Sequence, residues 1–178
     1  VSEKLTGTLD CTNNGFWVVA HHKNSNIFYS FHVTTAGINT VPIVSNYTEG
    51  VINHITGYIK ISPDRSKIAL TSQKNFNSGQ TLLAVFNFNT ITGEVTNYMR
   101  LSNTFGCYGL SFSPDNTKLY AIGAIGSPLS VIPSICQFDL NLPDVVSIRN
   151  SLFIQKIRYG MSMQLACNGK IYIENQDS

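Results

Sequence analysis

Charge is what this chain has least of. Only 12% of its 178 residues are Asp, Glu, Lys or Arg, about half the usual share. The formal net charge is +2, and no run or block of Lys and Arg stands anywhere. Nucleic-acid binding and docking on an anionic membrane both need clustered basic residues, so the composition excludes them as the main activity. Long apolar runs are missing as well. Nothing approaches the ~18 residues that would read as a membrane span, so no membrane insertion is expected. Catalytic signatures are equally scarce. There is no CxxC and no Cys/His zinc spacing, and no Gly-x-Ser-x-Gly elbow for a nucleophilic serine. Glu3, Glu49, Glu94 and Glu174 show no pairing that argues for glycosidase work. No catalytic residue, metal or cofactor is therefore expected. The four cysteines, Cys11, Cys107, Cys136 and Cys167, fit either free buried thiols or one disulfide, and spacing does not choose between them. Helical periodicity is absent too, so the expected fold is all-β.

What the chain has in its place is repetition. The stretch YGLSFSPDNTKLYAIG (108–123) sets two short apolar runs around a Ser-Pro-Asp-Asn turn, a hairpin signal. Its counterparts centre on the turns 12–15, 63–66 and 167–170. The first apolar residues after the turns are Phe16, Ile68, Leu119 and Ile171, at intervals of 52, 51 and 52. A third strand recurs as NIFYSFHV (26–33), TLLAVFNFN (81–89) and SICQFDLN (134–141), with Phe31, Phe86 and Phe138 as its markers. Fourth strands are expected at 40–45, 94–101 and 152–158, with loops at 46–56, 73–80 and 123–133. Four strands in a period near fifty residues is the pattern of β-propeller blades; a sandwich would not repeat one turn at a constant interval.

The expected organisation is one partial propeller over 1–178. Its blades cover about 1–52, 53–103 and 104–158, with a half blade at 159–178. Closed propellers have ~4 to 8 blades, so two options stand: a piece of a larger protein, or copies that assemble. Two copies make about seven blades' worth, and a homodimer covering the open blade edges follows from that count. The opening VSEKLTGTLD is already strand-like, which predicts a natural N-terminus further upstream.

Most aromatics, Phe16 among them, fall on alternating strand positions that predict core packing between blades. Trp17 and Tyr120 occupy matching positions on the opposite face, where stacking on a sugar is the alternative to packing. His21 and His22 end a strand. Adjacent strand residues point to opposite faces, so the two imidazoles do not readily share a metal. Tyr47 and Phe76 fall in loops and are the better candidates for an exposed contact. The candidate ligand-binding residues are thus Trp17, His21, His22, Tyr47 and Phe76. Asp64 and Asp115, at equivalent turn positions, read as turn-stabilising side chains.

These stretches resemble a known family. Residues 3–38, 57–70 (GYIKISPDRSKIAL), 86–97, 108–123, 136–141 (CQFDLN) and 159–173 (YGMSMQLACNGKIYI) are similar, in order and spacing, to the WD40-like or lactonase-like propeller region of large secreted Bacteroidetes proteins. Members of that group often end in a gliding-motility-associated or type IX secretion sorting domain. Ala166-Cys167-Asn168-Gly169 departs from the usual Pro-Asp-Gly turn. The resemblance implies a secreted or cell-surface location and no particular reaction. The expected role is a binding or interaction module for an unknown protein or glycan. The alternatives are a metal-assisted lactonase-like or lyase-like enzyme and a structural spacer in a surface adhesin.

Overall fold

The computed structural model describes residues 2, 4–48, 56–73, 81–102, 106–127, 130–158 and 160–174. Four antiparallel sheets follow one another along the chain. The first holds β1 (Leu5–Leu9), β2 (Phe16–His21), β3 (Ile27–Thr34), β4 (Gly37–Ile38) and β5 (Ile43–Asn46), with β4 and β5 both paired to β3. The second holds β6 (Ile59–Ile61), β7 (Lys67–Gln73), β8 (Thr81–Phe88) and β9 (Val95–Ser102) in chain order. The third holds β10 (Gly106–Phe112), β11 (Lys118–Ser127) and β12 (Ser130–Asp139). After helix α1 (Val145–Asn150) it adds β13 (Phe153–Lys156). The fourth is a hairpin, β14 (Met163–Leu165) and β15 (Ile171–Ile173). This is a partial β-propeller: three blades and the inner hairpin of another.

Register confirms that the sequence intervals mark equivalent places. Leu9 pairs with Phe16, Ile61 with Ile68, Phe112 with Leu119 and Leu165 with Ile171. In the third strands, Phe86 lies opposite Ile68 and Phe138 opposite Leu119, but Phe16 lies opposite Val33. Val33, not Phe31, is therefore the first-blade counterpart of Phe86 and Phe138.

The hairpin turns share one backbone device. Asn13, Arg65, Asn116 and Gly169 all have positive φ, between 58° and 75°, and each donates its N–H to the carbonyl three residues earlier. That is a tight turn closed by a left-handed residue, a form suited to the strand twist. Asp64 accepts from the Ser62 and Ser66 hydroxyls and the Ser66 N–H, while Asp115 does the same with Ser113 and Thr117. Both carboxyls sit below the ordinary range. At Asp64 burial works the other way and is outweighed by the bonds from Ser62 and Ser66; at Asp115 the Ser113 bond leads. In the first turn the carboxylate comes from the other end, with Asp10 accepting from the Thr12 N–H and hydroxyl.

Consecutive sheets pack face to face. Trp17, Val19 and Phe28 of the first sheet pack on Ile59, Ile68, Leu70 and Phe86 of the second. Ala69, Leu83 and Val85 of the second pack on Leu110, Phe112, Leu119 and Phe138 of the third. Blade-on-blade burial is the hydrophobic core of the molecule.

Three expectations need correction. The expected loop at 123–133 is strand at 123–127 and 130–133: β11 and β12 stay paired from Lys118↔Asp139 out to Ser127↔Ser130, because alternating small and apolar residues continue the ladder. Among the described residues there is one short helix, α1, started by Asp144, whose carboxylate accepts from the N–H groups of Val146 and Ser147, the usual N-cap bond. Phe16 is not buried like its counterparts. It is 41% exposed where Ile68 and Leu119 are at 0%, because no described sheet lies against that face of the first blade.

Candidate functional site

In a propeller the first strand of each blade borders the axis. Here β1 touches β6, β6 touches β10 and β10 touches β14. One residue before each paired apolar position stands a polar one: Thr8, Lys60, Ser111 and Gln164. Alternation sends these side chains off the apolar face, and near the axis Lys60 and Gln164 meet across blades. The Lys60 ammonium donates to Gln164 Oε1 at 2.8 Å, spanning 104 residues of sequence. The same ammonium lies 5.7 Å from the centre of the Tyr58 ring, within cation–π range, and Tyr58 meets Tyr108 edge-to-face at 5.0 Å. A concavity of about 240 Å³ lined by Lys60, Ile61, Pro63, Ser111, Phe112, Gln164 and Leu165 opens there. Burial lowers the Lys60 pKa from its ordinary value, so a half-buried cation faces amide, hydroxyl and aromatic groups. Chemically the wall can accept hydrogen-bonding and anionic groups of a ligand.

The residues singled out from sequence lie elsewhere. Trp17 is buried against the second blade, where its indole N–H donates to the Thr90 carbonyl at 2.9 Å and its ring stacks on His32 at 4.4 Å. His32 in turn bonds Asp10 Oδ2 at 3.0 Å. Burial works against the Asp10 charge, but the bonds from Thr12, His32 and the backbone win and bring its pKa down to about 2. His21 is fully buried between the first two blades, with Nε2 3.1 Å from the Tyr47 hydroxyl. Burial, helped by Lys4 and His22, drops its pKa to about 3, so the ring is neutral and serves packing. His22 points to the other face and meets Tyr29 edge-to-face at 5.7 Å; the two imidazoles diverge as strand geometry requires.

Tyr47 needs correction. It is 6% exposed rather than displayed on a loop, because β5 carries it under Phe86 and Tyr98. Phe76 lies outside the described residues. Structure thus brings His21 and Tyr47 together and keeps Trp17 with His32 and Asp10. Both groups are interblade cement, and none of these residues lines the axial concavity. Among the described residues, no group of three or more His, Cys, Asp or Glu side chains stands where it could hold a metal ion. All four cysteines are free, Cys107 and Cys136 buried and Cys11 and Cys167 exposed.

A second concavity, about 410 Å³, lies between the third blade and the hairpin β14–β15. Tyr120, Ile135, Gln137, Phe153, Gln155, Met163 and Ile171 line it. Tyr120 occupies the place that Trp17 has in the first blade, facing the next sheet as expected from its position. Sequence reading missed the axial row; its signal was a polar residue recurring one place before the apolar marker in GYIKIS, YGLSFS and YGMSMQL.

No protein-family model and no curated protein matches this chain. Solved structures do. The model is similar to the hydrazine synthase of Kuenenia stuttgartiensis at a TM-score of 0.58 and 10% identity, over 94% of this chain and 48% of that one. It is also similar to a candidate 6-phosphogluconolactonase of Bacteroides uniformis at a TM-score of 0.55 and 15% identity, over 97% and 50%. The chain therefore spans about half the length of these structures, and at such identities what it shares with them is the propeller fold.

Proposed function

We propose that this chain is part of a secreted or cell-surface propeller protein and acts as a binding module for a protein or glycan. The observation that carries the reading is the axial row, in which Lys60, Ser111 and Gln164 converge from three sheets beside Tyr58. Hydrogen-bond donors next to an aromatic face suit a polar ligand such as a sugar, and a rigid propeller is a frame on which such groups are held in place. The sequence likeness to secreted Bacteroidetes propellers supports the location. Surface display of neutral amides and hydroxyls in place of charges supports contact through hydrogen bonds. The test is a glycan array together with a pull-down, run on the chain and on Lys60→Ala and Tyr58→Ala. Binding that both variants lose is the expected result; binding that both retain removes the axial wall as the site.

A second reading is enzymatic, action on a lactone, and rests on the fold shared with the Bacteroides uniformis protein. Lactone hydrolysis followed by pH-stat, with elemental analysis for bound metal, decides it.

A further inference from the structure

Lys60 is the one charged side chain lining the axial concavity; Ile61, Pro63, Phe112 and Leu165 around it are apolar, and Ser111 and Gln164 are neutral. Its ammonium has no counter-charge. Two ion pairs stand among the described residues, His32 with Asp10 and Lys118 with Asp139, and neither involves Lys60. Asp64, the acidic residue nearest to it in sequence, is occupied inside its own turn by Ser62 and Ser66. Of the three ammonium N–H groups, one goes to Gln164 Oε1 at 2.8 Å, which leaves two to donate to a ligand. The Ser111 hydroxyl donates to the Phe112 carbonyl at 3.2 Å and the Gln164 amide to the Leu165 carbonyl at 3.1 Å, so Ser111 Oγ keeps its capacity to accept.

A half-buried cation without a partner costs free energy, and an anion brought beside it interacts more strongly there than in bulk water. The surroundings narrow the kind of anion. A phosphate group carries about −1.5 to −2 and three acceptor oxygens, and is ordinarily met by arginine forks or a helix N-terminus. This lining has neither, and one ammonium would leave part of that charge uncompensated. A carboxylate brings one charge, which one ammonium balances. At about 240 Å³ the space falls below the ~300–1,000 Å³ of drug-sized sites, which suits one ring of a longer ligand. We propose that the concavity takes a uronate ring of an acidic glycan, with its carboxylate on the Lys60 ammonium, its hydroxyls on Ser111 and Gln164 and its carbon face on Phe112 and Leu165. The inference rests on the axial-wall reading above and names the chemical class of its ligand.

Calorimetric titration tests it, with oligosaccharides of galacturonate, glucuronate, mannuronate and guluronate, each beside its carboxyl-reduced counterpart. The expected result is at least one acid that binds about 10- to 150-fold tighter than its reduced form, the range of a hydrogen bond to a charged group. Lys60→Gln should abolish that preference. Gln164→Glu keeps the lysine but supplies a carboxylate from within, and should abolish it too; this variant decides should Lys60→Gln fail to fold, and circular dichroism monitors folding throughout. Equal affinity for acid and reduced forms overturns the inference and leaves the axial wall as a site for neutral glycans. A preference for the acid that survives either folded variant also overturns it. No binding of any oligosaccharide, acidic or reduced, removes it together with the glycan side of the reading above. Binding of a Glu-rich peptide alone overturns it in favour of a protein partner.

Discussion

Gly93 offers the sharpest check on the interblade packing. It turns the chain between β8 and β9 with φ of +78°, and a Cβ placed there would stand 2.5, 2.7 and 2.9 Å from three carbons of the Trp17 ring. Gly93→Ala therefore incurs two costs. A left-handed backbone with a side chain costs about 1–2 kcal/mol. Overpacking adds about 1–3 kcal/mol, because the indole has no free direction: Thr90 holds its N–H and His32 backs its plane. If the ring moves anyway, the lost hydrogen bond contributes about 1 kcal/mol to the same total. The expected destabilisation is about 2–5 kcal/mol. Gly37 is the control, since its φ is +111° but nothing lies within 4 Å of an added Cβ; Gly37→Ala should show the backbone cost alone, about 1–2 kcal/mol. Trp17 is the single tryptophan, so urea unfolding followed by its fluorescence reports this interface directly. Gly93→Ala should also red-shift native emission as the ring meets water. Equal losses for the two variants with unchanged emission would refute the packing argument.

Three further outcomes are expected. His21 is held neutral with a pKa of about 3 against 6.5 in the unfolded chain, so the unfolded state binds more protons between those values. Its contribution is fully present above pH 6.5 and declines as pH falls toward 3, by up to about 1.4 kcal/mol per unit. His21→Leu should flatten urea-unfolding stability over that window, and an unchanged slope refutes the assignment. Of the four thiols, Cys11 and Cys167 should react at once with a disulfide reagent in native protein. Cys107 and Cys136 should wait for denaturant, since burial raises both, Cys136 to about 12; four fast thiols would contradict this. Phe86→Ala, at a side chain with no exposure that meets Phe28, Tyr47 and Tyr98, should cost about 3–5 kcal/mol in the same fluorescence assay.

Much of this architecture was legible because a propeller writes one hairpin several times. The interval between Ile68 and Leu119 carries register, and register fixes which residues face which blade. What escaped was what repeats do not encode. Helix α1 sits in the connection between β12 and β13 of the third blade, with no counterpart among the described residues of the other sheets, and the Asp144 cap was its one local signal. The exposure of Phe16 depends on a neighbour, not on the residue, which has the same pattern as its buried equivalents. Tyr47 looked like loop because 49–56 offers no alternation, yet β5 draws it under Phe86. The axial row was hidden for a different reason. Lys60 and Gln164 are 104 residues apart, and ordinary polar residues on short strands acquire meaning only when the axis brings them together.

The left-handed residue of each hairpin turn does more than close the turn. The Arg65 side chain reaches back to the Asp10 carbonyl and Asn13 Oδ1, and Asn116 Oδ1 accepts the Asp64 N–H, so each turn is fastened to the one before. Gly169 occupies the same place in the last hairpin and has no side chain to reach with. The rim is therefore sewn at two seams and left unsewn at the third. Slow opening measured by amide exchange should start there, with the β14–β15 hairpin peeling from the third blade while the first three sheets move as one body.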